Sequence, residues 1–191
     1  GGVLLSILIF FFPPLYGEGY DTLSQLLSGE CSSLFNQSLF YNFRTEHWAI
    51  LLYLSLIVLF KIAATTATNG AGGTGGIFAP SLFMGCLTGY IVAEGFNLIG
   101  FNIPYANFAF AGMAGFMSGV MHAPLTGTFL IAALTGRYDL FMTLMITSVI
   151  AYLTILLFEP HSLYAMRLAQ KGELLTHHKD RSVLTLLKMD N

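Results

Sequence analysis

The stretch NGAGGTGGIFAP, residues 69–80, decides how the rest of the sequence is interpreted. Five glycines and an alanine lead into an Ile-Phe-Ala-Pro segment, inside a chain that is otherwise strongly apolar. A backbone so free of side chains is typical of a sharp bend or of close approach to a ligand. Gly70, Gly72 and Gly75 fit the dinucleotide-binding pattern G-x-G-x-x-G, so a nucleotide phosphate is the first ligand to consider.

The composition around this stretch is that of a membrane protein. Hydrophobic residues make up 55% of the chain and charged residues only 9%, whereas soluble domains carry roughly 25% charged residues. Residues 48–67 contain a single charge, Lys61, and residues 140–158 contain none. Each segment is long enough to cross a hydrocarbon core, which needs about 20 helical residues. We therefore predict an integral membrane protein, in a plasma membrane or a bacterial inner membrane.

Other apolar segments are short, or are interrupted by proline or glycine: residues 3–12, 77–93, 107–121 and 124–134. Half-length and interrupted helices are typical of transporters, in which non-helical backbone at membrane depth is enclosed by protein or lines a water-filled cavity. The sequence therefore predicts an all-α fold with broken and re-entrant helices.

Two stripes of small residues repeat at every fourth position: Ser81, Gly85 and Gly89, and then Ala111, Gly115 and Gly119. Small residues at this spacing allow a second helix to pack closely, so we interpret both stripes as packing surfaces.

Charged residues are concentrated near the end of the chain. Five of the eight Lys and Arg residues follow the last long apolar segment: Arg167, Lys171, Lys179, Arg181 and Lys188. By the positive-inside rule, this tail is expected in the cytoplasm. The isolated Lys61 is expected to snorkel toward an interface or to pair within the protein, and only secondarily to line an ion path.

Nucleotide binding does not fit the surroundings of the glycines. Glu94 lies at about the distance at which a dinucleotide fold places its ribose-binding acid, but residues 77–93 leave no room for both a helix and a strand. A phosphate-binding P-loop is excluded because no Lys-Ser or Lys-Thr pair follows the glycines. Nucleic-acid partners are not expected either.

A helix that begins at Ile77 offers a different ligand site. Its first amides have no intrahelical partner, and its macrodipole places roughly half a positive charge at that end. These amides can bind an anion without lysine or arginine, and loosely enough to release it, as conduction requires. Pro80 in the first turn costs no hydrogen bond. Gly75 and Gly76 allow the sharp bend that would set up this geometry.

These residues also resemble a known family. The segment GGIFAPSLFMG is similar to the G-x-F-x-P signature of the CLC chloride channels and chloride/proton antiporters. The segments FAGMAGFMSGVMHAPLTGTFLIAALTGRYDL and LYAMRLAQKGELL resemble the following helices and the last helix with its tyrosine. The resemblance runs in the same order over nearly the whole chain.

The resemblance implies where chloride binds. The backbone amides of Ile77, Phe78 and Ala79 would face the ion, and the hydroxyl of Tyr164 would donate to it. The family's other anion ligands, a serine and a gating glutamate, belong to a first half that this sequence does not contain. Channel and proton-coupled antiporter therefore both stay open. No metal and no cofactor is expected, since chloride is the transported ligand.

The resemblance also implies a domain arrangement. Residues 1–171 would be the C-terminal part of the membrane domain, the later part of the second half of an inverted repeat. Residues 172–191 would be a cytoplasmic tail or a linker toward regulatory domains of the cystathionine-beta-synthase type. The family works as a homodimer in which each subunit has its own pore, and segments 124–134 and 140–158 are expected at the contact between subunits.

Two other functions are considered beside a voltage-gated-type chloride channel or antiporter. A cation-coupled solute transporter would show the same kind of broken helices. A membrane-embedded enzyme could use His122 or His161 with Glu159 as acid and base, but no nucleophile, base and orienting group cluster in the sequence.

Overall fold

The computed structural model describes residues 2–17, 19–27, 47–73, 76–163 and 165–166. This part of the chain is helical and contains no strand. Its helices are α1 (Gly2–Phe11), α2 (Tyr20–Leu27), α3 (His47–Gly70), α4 (Phe78–Leu98), α5 (Tyr105–Met121), α6 (Pro124–Thr135) and α7 (Phe141–Leu156). Two short 3-10 turns, Pro13–Leu15 and Tyr138–Leu140, precede α2 and α7.

Proline and glycine set several of the helix boundaries. Helix α1 ends at Phe11, just before two prolines that open the first 3-10 turn. Helix α6 begins at Pro124, where a missing amide costs no intrahelical hydrogen bond. The same helix ends at Gly136, whose φ of 67° is a left-handed conformation that glycine adopts without strain. The breaks expected after residue 12 and before residue 124 are thus confirmed.

In the described residues, two helical segments are long and apolar enough to cross a membrane by length and composition. They are Trp48–Gly70, which is nearly all of α3, and Tyr138–Leu156, which contains α7. Helix α6 is apolar but shorter.

Helix α4 differs from the sequence prediction, because Gly85 and Gly89 do not interrupt it. The helix runs without a break over 21 residues. Both glycines are buried against α5, which confirms the packing surface predicted for their stripe. A Cβ atom at Gly85 would lie only 2.7 Å from the carbonyl oxygen of Gly112, and one at Gly89 would collide with the carbonyl of Phe108.

The predicted stripe on α5 is only partly a packing surface. The residue that meets both α4 glycines is Gly112, which is not a member of the stripe. Gly115 packs against α7, where a Cβ atom would lie 3.3 Å from the Cγ2 of Thr147. A Cβ atom added at Gly119 would meet no other atom within 4 Å, so this member of the stripe faces open space.

The core lies around α4. Its largest fully buried side chains come from α2, α3, α4, α5, α6 and α7: Leu26, Leu54, Ile57, Leu82, Phe83, Leu87, Met117, Ile131 and Leu144. The outer faces of α6 and α7 are exposed and apolar, as expected for surfaces that meet lipid or another subunit.

Candidate functional site

Helix α4 begins with an uncapped N-terminus. Its first helical residue is Phe78, one position after the predicted start, and Ile77 is the N-cap residue without a side-chain capping bond. The amide of Ser81 donates to the carbonyl of Ile77 at 3.1 Å and closes the first turn. Within the described part of the chain, the amides of Ile77, Phe78 and Ala79 have no acceptor. The helix start therefore presents free donors and the positive end of the macrodipole.

The polar side chain in the first turn, that of Ser81, does not bond to these amides. The hydroxyl of Ser81 donates to the carbonyl of Phe78 at 2.6 Å and lies 3.5 Å from the sulfur of Met117. Pro80 occupies the third helical position, where its missing amide removes no intrahelical bond.

A cavity of about 490 Å³, here called the α4 cavity, adjoins this helix start. It is lined by Leu5, Ile9, Leu15, Tyr16, Gly17, Lys61, Ala64, Thr65, Thr68, Asn69, Gly76, Phe78, Ala79 and Pro80. Four residues that the sequence predicted for the site thus line one cavity. Ile77 is not among its described lining residues, although both of its chain neighbours are.

Two predicted site residues, Gly75 and Tyr164, lie outside the described residues. Around the second of them, the amide of Met166 donates to the carbonyl of Ser162 at 2.9 Å, which is a helical turn at the place where the last helix was expected. The tail, residues 172–191, also lies outside the described part.

Of the two expectations for Lys61, pairing within the protein is confirmed and snorkelling to an interface is not. Its side chain in α3 is only 3% exposed, and its ammonium donates to the carbonyl oxygens of Leu15 and Gly17 at 3.2 and 3.0 Å. The ammonium also lies 4.8 Å from the centre of the Phe83 ring. Sequence reasoning missed that this lysine lines the α4 cavity. The signal was present, since Lys61, Thr65 and Thr68 share one face of a helix by their spacing.

A second cavity, of about 670 Å³, lies between α5 and α7 and is here called the α5–α7 cavity. His122, Glu159 and His161 all line it, so the structure brings together residues that are scattered in sequence. Nδ1 of His161 is 4.0 Å from a carboxylate oxygen of Glu159, and both side chains are about two-fifths exposed. The hydroxyl of Thr154, which also lines the cavity, donates to the carbonyl of Ile150 and is not poised as a nucleophile.

His122 has a structural role that the sequence did not show. It ends α5 with a φ of 55°, a left-handed conformation that is uncommon for residues other than glycine. Its ring lies 5.7 Å from the ring of Tyr152 in an edge-on arrangement. In the described residues, no group of three or more His, Cys, Asp or Glu side chains could hold a metal ion.

Comparisons with known proteins agree with the resemblance at the start of α4. Residues 1–155 match the family described as voltage gated chloride channel. A curated relative, the voltage-gated ClC-type chloride channel ClcB of Escherichia coli O139:H28 (strain E24377A / ETEC), is 29% identical over 173 residues. The ClcB of Escherichia coli O9:H4 (strain HS) has the same identity over the same length.

These alignments cover 89% of this chain but 37% of each relative, so the chain spans little more than a third of the length of the relatives it matches. No solved structure gives a significant match.

Proposed function

This chain belongs to the voltage-gated chloride channel family, and we propose that it forms part of a chloride-selective path through the membrane. The family consists of integral membrane channels and transporters, and the all-α structure agrees with its membrane domain. The observation that carries the proposal is the uncapped start of α4, whose first amides have no acceptor in the described residues and which opens onto the α4 cavity.

The amides of Ile77, Phe78 and Ala79 bind the chloride ion in this proposal. Partial positive charge at a helix start stabilises an anion by backbone donors alone. The amides carry only partial charge, so they hold the ion weakly enough for it to leave again. Gly75, Gly76 and Pro80 give the backbone the geometry that the contact needs. No metal or cofactor takes part.

Tyr164 is proposed as a neutral donor to the same ion. In the sequence it lies at the predicted start of the last helix, before the basic tail, so its ring could point into the membrane while the tail remains in cytoplasmic water. A hydrogen bond to a charged partner contributes about 1.5 to 3 kcal/mol. Removing the hydroxyl in Tyr164→Phe is therefore expected to weaken chloride binding by roughly tenfold or more, as calorimetric titration of the full-length protein can measure.

The rest of the path is proposed to come from a first half of the same protein, which supplies the remaining anion ligands and the gate. The alignment over 37% of each relative supports this, because a complete relative contains much more chain than residues 1–191. Residues 1–171 would then be the later part of the membrane domain, and residues 172–191 the cytoplasmic tail.

A homodimer with one pore in each subunit is proposed for the assembly. The support is a continuous apolar stripe on α7 and its C-cap residue, formed by exposed Met142, Ile146, Ile150, Leu153 and Leu157. These residues recur at steps of three and four, so they share one helix face. Exposed Leu125, Phe129 and Leu134 on α6 extend the apolar surface. Crosslinking of the full-length protein in detergent is expected to give dimers, and a purely monomeric population would contradict this assembly.

Chloride flux from lipid vesicles that contain the full-length protein tests the proposed function. We expect the flux to be lost when gluconate replaces chloride, because a large organic anion does not fit a path that strips an ion of its hydration shell. A cation-coupled solute transporter would keep its activity under this exchange, and an enzyme would show no chloride current at all. Proton movement measured at the same time separates a channel from a chloride/proton antiporter.

A further inference from the structure

Lys61 is the only charged residue among the described residues that line the α4 cavity. It lies in α3, in a segment long and apolar enough to cross a membrane, and its side chain is almost completely buried. An ionisable residue at such a position is costly to keep and usually marks a functional site. The contacts of its ammonium group indicate which function this is.

The described surroundings of Lys61 suit a positive charge, and no acid among them neutralises it. The ammonium donates to two carbonyl oxygens, of Leu15 and Gly17, and lies over the electron-rich face of the Phe83 ring. No carboxylate in the described part of the chain forms an ion pair with it. A lysine ammonium has three donor protons, so the bonds to these two carbonyls leave one proton for another acceptor.

Other polar side chains along the same face of α3 have their donors already engaged. The hydroxyl of Thr65 donates to the carbonyl of Lys61, and the hydroxyl of Thr68 donates to the carbonyl of Ala64, each at 2.8 Å. The α4 cavity is therefore bordered by two positive features: the free amides of the α4 start and the ammonium of Lys61. The first carries roughly half a charge and the second a full charge.

We propose that Lys61 is a specificity-determining residue of the anion path, which attracts a small monovalent anion into the α4 cavity and donates a hydrogen bond to it beside the start of α4. This inference rests on the proposed function. The ammonium raises the local concentration of anions, while the helix amides provide the weaker binding from which the ion is passed on. The carbonyls of Leu15 and Gly17 hold the ammonium in place, so it does not follow the ion through the path.

Chloride flux of the full-length protein in vesicles, measured from about 10 mM to about 300 mM chloride, tests this role, since a charge that concentrates anions matters least where chloride is already abundant. Lys61→Met keeps the length of the side chain and removes its charge, and Lys61→Arg is the matched control that keeps the charge. We expect the flux of Lys61→Met to be about tenfold below that of the wild type at the lowest chloride concentration. At the highest concentration its flux should approach the wild-type value. Lys61→Arg should stay within about threefold of the wild type throughout.

If Lys61 only fixes α3 against the Leu15–Gly17 turn, Lys61→Met should lose flux equally at every chloride concentration. That result would overturn the proposal. A second variant separates charge from fold: Lys61→Cys in a full-length protein whose other cysteines, Cys31 and Cys86 among them, are replaced. A positively charged aminoethyl methanethiosulfonate should restore flux at low chloride, whereas the negatively charged sulfonatoethyl reagent should not. Equal effects of the two reagents would also contradict the proposal.

Chloride flux of the wild-type protein separates failure of this inference from failure of the proposed function. Absence of chloride flux in the wild type would overturn both. Wild-type flux together with Lys61→Met flux that is unchanged at low chloride would overturn the role of Lys61 alone and leave the α4 site in place.

Discussion

The α4 cavity and the α5–α7 cavity differ in the groups that surround them more than in size. The α5–α7 cavity is the larger, about 670 against 490 Å³, and it has three ionisable side chains at its wall. Two of these, Glu159 and His161, are partly exposed and lie close to each other. The α4 cavity has one charged side chain, Lys61, which is buried and has no acidic partner in the described residues. It also has a helix start without a cap.

The number of ionisable residues around a cavity does not by itself predict whether the cavity is an anion site. Around the larger cavity, the carboxyl group of Glu159 faces the same space as the two imidazoles, so an acidic side chain lies beside any anion that would enter. Around the smaller cavity, the helix dipole and the ammonium act in the same direction. In our proposal, the helix start and the ammonium together stabilise an anion in the smaller cavity, and the helix start is a backbone feature that side-chain identities do not reveal.

The largest effect is expected between the two cavities, at the contact of α4 with α5. Gly89→Ala would push a methyl group into the backbone of Phe108 and Ala109, so the two helices would have to separate. Overpacking of this kind costs about 3 kcal/mol at the upper end of its usual range. We expect the full-length variant to lose most of its thermal stability in detergent. Gly95→Ala, on the same helix with open space around its Cβ position, is the control and should be tolerated.

The next effect concerns the bend before α4. Gly76→Pro fixes φ and removes an amide one residue before the helix cap, so it should move the α4 start away from the α4 cavity. We expect at least a tenfold loss of chloride flux, which corresponds to about 1.4 kcal/mol.

Two control variants test whether the loss of flux comes from the backbone and not from a changed side chain. Gly76→Ala adds a methyl group where nothing lies within 4 Å, and Phe78→Leu changes a side chain while leaving its amide in place. Both should keep flux within about threefold of the wild type, because the proposed anion contacts are main-chain contacts. Equal flux in Gly76→Pro and Phe78→Leu would exclude the helix start as the anion site.

Much of the fold could be predicted from the sequence. The membrane class, the long helices and the breaks at Pro13 and Pro124 follow from composition and from the geometry of proline, which are local properties. The start of α4 was predicted to within one residue for the same reason, since the glycines and Pro80 leave few ways to begin a helix. The family membership was predicted from the motif around Phe78 and is confirmed by the match over residues 1–155.

The parts that could not be predicted depend on which helices become neighbours. The packing role of Gly85 and Gly89 was predicted, but the unbroken course of α4 through them was not, because it depends on the neighbouring backbone. The partner of these glycines, Gly112, could not be chosen over Ala111 without the angle between the helices. The contact of Lys61 with the Leu15–Gly17 turn joins positions 46 and 44 residues apart, which no local pattern predicts. The chloride contacts themselves stay a prediction.

A smaller effect is expected at His122, beside the α5–α7 cavity. Its left-handed conformation costs an L-residue about 1 kcal/mol, and glycine avoids this cost. His122→Gly and His122→Ala both lose the ring contact with Tyr152, so the difference between them isolates the backbone. We expect the glycine variant to be more stable than the alanine variant by about 1 kcal/mol in thermal unfolding. Equal stability of the two variants would show that the conformation relaxes.

The smallest effect is expected in the α5–α7 cavity. Gly119 lines the α5–α7 cavity in the last turns of α5, and a methyl group there meets nothing within 4 Å. Gly119→Ala should therefore stabilise the protein by about 0.5 kcal/mol, because alanine loses less backbone entropy on folding. Chloride flux should not change, since in this interpretation the anion path runs through the α4 cavity.

The matched variant Gly112→Ala, two turns earlier on the same helix, should destabilise the protein strongly because its methyl group collides with the α4 backbone. If Gly119→Ala instead reduced chloride flux while raising stability, the α5–α7 cavity would have to be part of the anion path, and the contrast between the two cavities would fail.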